Sequence, residues 1–457
     1  MRALALASLA GLLSFAPPVS GHVLRAPASF GMAARQLAAA TAGDTVVLER
    51  GVHAGPLVID RPLTLCGEPG AVLDGGGTPT VLTVNAGGAT VEDLAIRGSG
   101  ARILTVDAGV HVRIAAGVRL SRLRISDVLY GINGERADRL TIEDCSLTGR
   151  VRPGDENGAG NGIHLWYSEG ATVRRDTMMR FLDGIYLSFA SHAHIERCVL
   201  EDAGRYGLHT MYCQGGRVTE TRFRKNVAGC AIMFSNDLHL ERNDFSHNRG
   251  PRTYGVLLRD CSGGEFSTNR FVDNTIAVFL DNSNRNHIRD NLFQDNGWGV
   301  LLFSSCAKDT FAGNAFLNND YPVALDMRRS DNCFDDGTRG NYWDGSAPYD
   351  LDGDGVSDVP YSPVSAFAFV SKQYPDLAIL AHSPAVAALA VAERVVPALR
   401  PSEVVDHFPM LVPPALGAKG AAAEPAVPQR RAFAAAIGFG VLGLLGVGGL
   451  TAARKSA

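Results

Sequence analysis

Four aspartates crowd the stretch DLDGDGVSD at residues 350–358, with glycines between them. Carboxylates at this spacing repel one another unless a cation lies among them, and hard oxygen ligands suit Ca²⁺. The stretch follows the odd positions of an EF-hand-like loop, with Gly355 at the sharp turn and Tyr361 in place of the usual glutamate. The predicted ligands of this structural calcium site are Asp350, Asp352, Asp354, the backbone carbonyl of Val356 and Asp358. The alternative is an aspartate-rich turn that holds no metal.

A second group of residues offers soft ligands and aromatic rings on short strand-like runs. Thioether and imidazole groups suit copper, especially Cu(I), so a transient copper site is one interpretation. A surface that docks a partner protein is the second interpretation, and a face covered by the polar loop at 150–161 is the third. The members of this group are His164, Trp166, Tyr186, His209, Met211 and Met233.

An internal repeat would position these side chains. Successive apolar runs begin at Gly162, Gly184, Gly207 and Gly229. The interval of about 22 residues suits one coil of a parallel β-helix, because helical solenoids need longer repeats. Side chains alternate along a strand and neighbouring coils lie about 4.8 Å apart. His209 and Met211 would therefore emerge on one face, beside Met233 of the next coil.

The repeat predicts an all-β fold, namely a right-handed parallel β-helix with an N-terminal capping helix and a short helical C-terminal extension. Large apolar residues at a fixed place in the repeat should stack inside it: Phe223, Phe245, Phe271, Phe293 and Phe316. Shortly before them stand Asn243, Asn269, Asn291 and Asn314. We interpret these asparagines as structural, because stacked amides can hydrogen-bond from coil to coil.

The chain divides into six predicted segments. They are a signal peptide (1–21), an N-terminal cap (22–43), the β-helix (44–345), an Asp-rich loop with a helical extension (346–412), a linker (413–430) and a candidate C-terminal membrane anchor (431–457). Arg2 and the apolar run after it indicate the signal peptide. The uncharged stretch 432–453 has the length of a bilayer span and is bracketed by basic residues.

Net charge and cysteine spacing argue against a nucleic-acid-binding protein and against a disulfide-stabilised one. The formal net charge is −4 at pH 7, so nothing in the balance indicates nucleic-acid binding. The 8 cysteines lie singly along the chain, which favours buried small apolar side chains over a disulfide framework.

Three stretches resemble the NosD-type periplasmic maturation proteins of nitrous-oxide reductase. They are PLVIDRPLTLCGEPGAVLDGGG, GNYWDGSAPYDLDGDGVSDVPYSP and RPSEVVDHFPMLVPP. The resemblance implies a non-enzymatic periplasmic subunit on an ABC-type complex with a separate permease and ATPase. It further implies work with a copper chaperone lipoprotein in assembling the copper centre of the reductase. The sequence agrees in lacking a phosphate-binding GxxxxGK[S/T] stretch, so a partner would hydrolyse ATP.

Two other classes compete with this interpretation. Many secreted β-helix proteins are polysaccharide lyases or epimerases, whose sites place carboxylates and a basic residue on adjacent coils. Arg259, Asp260, Asp281 and Arg328 would serve such a site. The third class is a passive surface or adhesion protein.

Overall fold

The computed structural model describes residues 21–151, 160–325, 327, 329–380, 383–396 and 403–414. Within them the chain forms a right-handed parallel β-helix of three sheets, which confirms the predicted fold class. Within each sheet every strand pairs in parallel with the equivalent strand of the neighbouring coil, on both sides except at the two ends of the sheet. The repeat period thus sets which residues stack on one another.

Two of the sheets have 13 strands each. Sheet A comprises β1 (Val23–Ala26), β2 (Thr45–Leu48), β5 (Thr64–Gly67), β8 (Thr90–Glu92), β11 (Arg119–Ser121), β14 (Thr141–Glu143), β17 (Thr172–Arg174), β20 (His194–Glu196), β23 (Arg217–Thr219), β26 (His239–Glu241), β29 (Glu265–Ser267), β32 (His287–Arg289) and β35 (Thr310–Ala312). Sheet B comprises β3 (Gly51–Ala54), β6 (Ala71–Thr78), β9 (Ala95–Ser99), β12 (Arg124–Ser126), β15 (Ser146–Thr148), β18 (Thr177–Met179), β21 (Val199–Glu201), β24 (Arg222–Arg224), β27 (Asp244–Ser246), β30 (Arg270–Val272), β33 (Leu292–Gln294), β36 (Ala315–Leu317) and β38 (Tyr342–Trp343).

The third sheet has 12 strands and carries the candidate site. Sheet C comprises β4 (Leu57–Ile59), β7 (Leu82–Val84), β10 (Ala108–Arg113), β13 (Tyr130–Glu135), β16 (Ile163–Trp166), β19 (Asp183–Ser188), β22 (Tyr206–Met211), β25 (Ala228–Met233), β28 (Tyr254–Arg259), β31 (Ile276–Asp281), β34 (Trp298–Leu302) and β37 (Tyr321–Leu325).

Identical side chains stack inside the coils. The five phenylalanines of sheet B are buried, and adjacent rings lie 4.7–5.0 Å apart, nearly parallel, as the repeat predicts. The asparagine ladder is also confirmed. Asn269 shows the pattern: its Oδ1 accepts from the backbone N–H of Asn243 at 3.0 Å, and its Nδ2 donates to the Leu240 carbonyl at 2.8 Å. The asparagine side chains thus supply hydrogen-bond partners to backbone N–H and C=O groups of the turns, which would otherwise be buried without partners.

Helices lie at both ends of the β-helix. Helix α1 (Met32–Ala39) packs Ala33 and Leu37 into the core. Strand β1 precedes it and pairs with β2, so sheet A begins before the helix, which the sequence did not predict. The extension contains α2 (Ala366–Gln373), a 3₁₀ helix (Pro375–Leu380) and α3 (Pro384–Val395). The side chains of Ser365 and Ser383 cap the N-termini of α2 and α3.

Several predicted segments lie in parts of the chain that the structure does not describe. The signal peptide, the inserted loop and the membrane anchor lie wholly or mostly outside the described residues. No helix in the described ranges has the length and apolar character of a membrane span. All 8 cysteines are free thiols, and six of them are buried.

Candidate functional site

The register of sheet C brings the predicted face together. His164, Tyr186 and His209 occupy equivalent places on β16, β19 and β22. Two residues further along each strand, the next column contains Trp166, Ser188, Met211 and Met233. Both columns point away from the core, because the residues between them, such as Leu165 and Leu187, belong to it.

The three rings form a continuous stack. The Tyr186 ring lies between His164 and His209, with centroids 4.9 Å and 4.5 Å away and interplanar angles of 8° and 18°. The Tyr186 hydroxyl points to the Met211 sulfur at 3.8 Å. The face is therefore a packed assembly of imidazole, phenol and thioether groups.

His209 is held by residues that the sequence analysis did not identify. Its Nδ1 lies 3.1 Å from Oδ2 of Asp183, and Arg205 grips both oxygens of the same carboxylate, at 2.9 Å and 2.6 Å. Burial by itself raises the pKa of Asp183, but hydrogen bonds from His209 and Arg205 outweigh it and leave that pKa below its ordinary value. Asp183 is thus a carboxylate placed to accept a hydrogen bond from Nδ1–H of His209.

The other ring nitrogen of His209 is the candidate ligand atom. His209 is only 4% exposed, and its Nε2 is buried with no hydrogen-bond partner among the described residues. A histidine that donates one N–H to a carboxylate and offers its other nitrogen is the usual arrangement of a metal-ligating imidazole. The donor set of His209 and the adjacent Met211 fits a soft ion such as Cu(I).

His164 is the second imidazole on this face. Burial lowers its pKa to about 4, so the ring is uncharged at neutral pH. Its Nδ1 is buried and unpaired within the described part of the chain. His164 is separated from His209 by the full Tyr186 ring, so the two histidines lie too far apart to bind one ion.

Trp166 and Met233 lie at the edges of the face. Trp166 is 39% exposed and contacts the Tyr167 ring at 5.0 Å. Met233 packs against a second apolar cluster on the outer side of sheet C. The buried members of that cluster are Ala228, Ala231, Leu257, Ile276 and Phe279. Met233 therefore has an apolar environment of its own beside the His209 site.

An aromatic ridge borders the face, and the sequence analysis missed it. Its members directly follow the four outward residues of the second column: Tyr167, Phe189, Tyr212 and Phe234. Adjacent rings stack at 4.8, 4.9 and 5.0 Å. The sequence has an aromatic residue at the same repeat position in four successive coils, and this pattern could have predicted the ridge.

The Asp-rich loop brings three of its four aspartates together. Ligand oxygens of Asp350, Asp352 and Asp358 lie within 4.8 Å of one another. Asp354 lies outside this group and accepts a hydrogen bond from the Val356 N–H at 2.8 Å. Backbone N–H groups of Gly353 and Gly355 lower the pKa of Asp350, so this carboxyl is ionised and available to a cation.

Three of the four residues of the enzyme alternative have side-chain partners in the described part of the chain. Arg259 pairs with Asp281 at 3.3 Å, and the Asn282 amide donates to Asp260. Arg328 lies outside the described residues. These groups form an ionic surface along β28 and β31, beyond the His209 site.

Comparisons with known proteins agree with this picture. The family model described as "Periplasmic copper-binding protein (NosD)" matches residues 150–348. A "Probable ABC transporter binding protein NosD" of Pseudomonas aeruginosa is 32% identical over 385 residues, covering 80% of this chain and 88% of the relative. The protein of the same description from Stutzerimonas stutzeri is 28% identical over 382 residues, covering 80% and 86%.

Solved structures share the fold only. A PL6 alginate lyase in complex with a trisaccharide has a TM-score of 0.54 at 12% identity, covering 69% of this chain and 85% of the lyase. The Streptococcus pneumoniae surface adhesin PfbA has a TM-score of 0.50 at 10% identity, covering 64% and 87%. At such identities the likeness extends to the β-helix and not to its chemistry.

Proposed function

The chain belongs to the NosD family, and from that premise we propose that it is a periplasmic accessory subunit in assembly of the copper centre of nitrous-oxide reductase. Its proposed partners are an ABC-type permease and ATPase, a copper chaperone lipoprotein and the reductase itself. In this role copper is cargo, held transiently and passed on. The uncharged stretch 432–453 is proposed as an additional membrane attachment.

One observation carries the copper part of the proposal. The buried Nε2 of His209 is unpaired among the described residues, while Asp183 and Arg205 fix the ring from behind. An unpaired buried nitrogen costs about 1–3 kcal/mol, so its retention needs a compensating role. With Met211 on the same strand, the group supplies the soft ligands that Cu(I) prefers.

We expect the double variant His209→Ala with Met211→Ala to lower Cu(I) retention at least tenfold against a competing chelator. In cells, the same variant should reduce the copper content of nitrous-oxide reductase at normal protein levels. The matched control is His239→Ala with Met179→Ala, which removes the same residue types from the outer faces of sheets A and B. Full Cu(I) retention in the first variant would contradict a copper role for this face.

We also propose that the protein is not an enzyme and that its Asp-rich loop binds structural calcium. The carboxylates of the enzyme alternative are engaged with Arg259 and Asn282, and the NosD relatives are named as binding proteins. A cleavage assay on uronate polymers checks the first statement, since turnover by purified protein would favour the lyase or epimerase alternative.

A further inference from the structure

Three arginines lie close together on the outer face of sheet B, a different sheet from the one that carries the His209 site. Arg222 and Arg224 belong to β24, and Arg270 belongs to β30. Asp244 of β27 lies between Arg222 and Arg270 in the register, with neighbouring coils about 4.8 Å apart. These side chains point outward, because the phenylalanines that alternate with them fill the core. The arginine cluster is defined as Arg222, Arg224, Asp244, Ser246 and Arg270.

The arginine cluster has more positive charge than its single carboxylate neutralises. Nη2 of Arg224 lies 3.3 Å from Oδ2 of Asp244. Arg222 and Arg270 form no ion pair with any residue that the structure describes. Three guanidinium groups against one carboxylate leave a net charge of +2. This excess charge favours an anion on this part of the face.

Acidic residues next to the cluster are paired with other basic groups. Glu201 accepts a hydrogen bond from Lys225 at 2.8 Å, and Asp273 accepts one from Nε of Arg249 at 2.6 Å. The coils on either side have aliphatic residues at the positions equivalent to Arg222 and Arg270, namely Val199 and Leu292. The concentration of arginines is therefore confined to these coils and is not balanced by their neighbours.

Two hydrogen-bond donors of the cluster are buried without an acceptor. They are Nε of Arg224 and Oγ of Ser246, and neither has a partner among the described residues. Ser246 is only 5% exposed and is the register partner of Arg224, so both groups lie at one place on the face. A buried donor that makes no hydrogen bond is costly, and a guanidinium group can only donate. The missing partner is therefore an acceptor.

We propose that the arginine cluster binds a small tetrahedral oxyanion of the phosphate type. Guanidinium groups bind such anions through charge-assisted, often bidentate hydrogen bonds. Nε–H of Arg224 and the hydroxyl of Ser246 donate to the oxyanion, while Arg222 and Arg270 neutralise its charge. Asp244 positions Arg224 by accepting its Nη2–H. A water molecule would accept from the two donors but would leave the excess charge in place.

Titration calorimetry of the full chain with inorganic phosphate tests the site, with sodium chloride of equal ionic strength as the blank. The double variant Ser246→Ala with Arg270→Gln removes one buried donor and one unpaired guanidinium group. Its Kd for phosphate should rise at least tenfold. Its melting temperature in chloride should stay at the wild-type value, because both side chains lie on the outer face of the sheet.

Lipid vesicles distinguish the two sources of this chemistry, a free anion and a phospholipid headgroup. Retention of the protein by phosphatidylglycerol vesicles, reversed by free phosphate and absent in the double variant, would identify a headgroup. Calorimetric binding of phosphate without retention by the vesicles would identify a free anion.

The matched control is Arg124→Gln, which removes an exposed arginine from the same outward column of sheet B. Its register neighbours are Ala95 and Ser146, so it belongs to no cluster, and the variant should bind phosphate as wild type does. Equal weakening in this control would show a general charge effect and overturn the proposal. Wild-type protein that gives no heat above the chloride blank would also overturn it, since water would then satisfy the donors. The His209→Ala, Met211→Ala variant should keep its phosphate affinity, which separates this site from the copper proposal.

Discussion

Asp309 is a buried carboxyl in a column whose neighbouring coils contain asparagine. Its Oδ1 accepts from the backbone N–H and the Nδ2 of Asn286, at 2.8 Å and 2.9 Å. Its Oδ2 is buried without a partner among the described residues, whereas Nδ2 of Asn332 donates to the Cys306 carbonyl at 3.1 Å. An asparagine is thus the better fit to this position, since it has a donor where Asp309 has an unpaired oxygen.

We predict that Asp309→Asn stabilises the protein in a pH-dependent way. Burial raises the pKa of Asp309 from 3.8 to about 7, so the folded state holds a proton that the unfolded chain has released between these values. The stability contributed by this group therefore falls as the pH rises from about 4 to 7 and is constant above. Asparagine has no such titration, so the free energy of unfolding of the variant should exceed that of the wild type by about 4 kcal/mol at pH 8.

Urea unfolding of both proteins at pH 4.5 and pH 8 measures the difference. Titration of the remaining groups cancels in the comparison, because only residue 309 differs. The stability gain should shrink at the lower pH, where the carboxyl is protonated in the folded state. An equal gain at both values would show that the carboxyl does not titrate as described.

At the scale of strands and coils, the sequence predicts the side-chain stacks that follow from the repeat. It does not predict hydrogen bonds and burial that depend on a particular residue of a neighbouring coil. The stacks of Phe245 and Asn269 follow from period and alternation alone. Asp183 precedes the repeated glycine and resembles an ordinary turn residue in the sequence. Only the structure shows that Arg205 of the next coil donates a hydrogen bond to its carboxylate. Alternation likewise gives the outward direction of His209, but its burial depends on the flanking tyrosines.

The Asp-rich loop provides a prediction at the same scale. Calcium should raise the free energy of unfolding by about 2.7 kcal/mol at a concentration a hundredfold above its Kd, because it binds only the folded loop. Asp352→Asn should abolish this gain, since Asp352 belongs to the group of converging oxygens. Asp354→Asn is the matched control and should keep most of it, because Asp354 lies outside that group.

Thermal unfolding in chelator and in added calcium distinguishes the variants. If wild-type protein melts at one temperature in both conditions, the loop is only an aspartate-rich turn. A loss of the calcium effect in Asp354→Asn alone would favour the EF-hand-like ligand order over the observed arrangement.

At the scale of the whole molecule, a solenoid needs closure at both ends, because its terminal coils expose apolar surface. Helix α1 covers the first coils, and at the other end the chain returns through residues 403–414. Asp406 takes the place that the next asparagine of the ladder would occupy. Its Oδ2 accepts from the Asn341 N–H and from Nε1 of Trp343, both at 2.7 Å.

We predict that Asp406→Ala opens this end of the molecule. The change leaves the buried Asn341 N–H and the Trp343 indole N–H without an acceptor, and we expect a loss of about 3 kcal/mol in the free energy of unfolding. Glu403→Ala is the control: its ion pair with Arg329 is exposed, so its loss should cost under about 1 kcal/mol.

Because Trp343 is only 1% exposed, its emission should shift to the red in Asp406→Ala before global unfolding. Limited proteolysis should then cut near the last coil first, and a variant that resists protease like wild type would show that the returning segment does not close the β-helix.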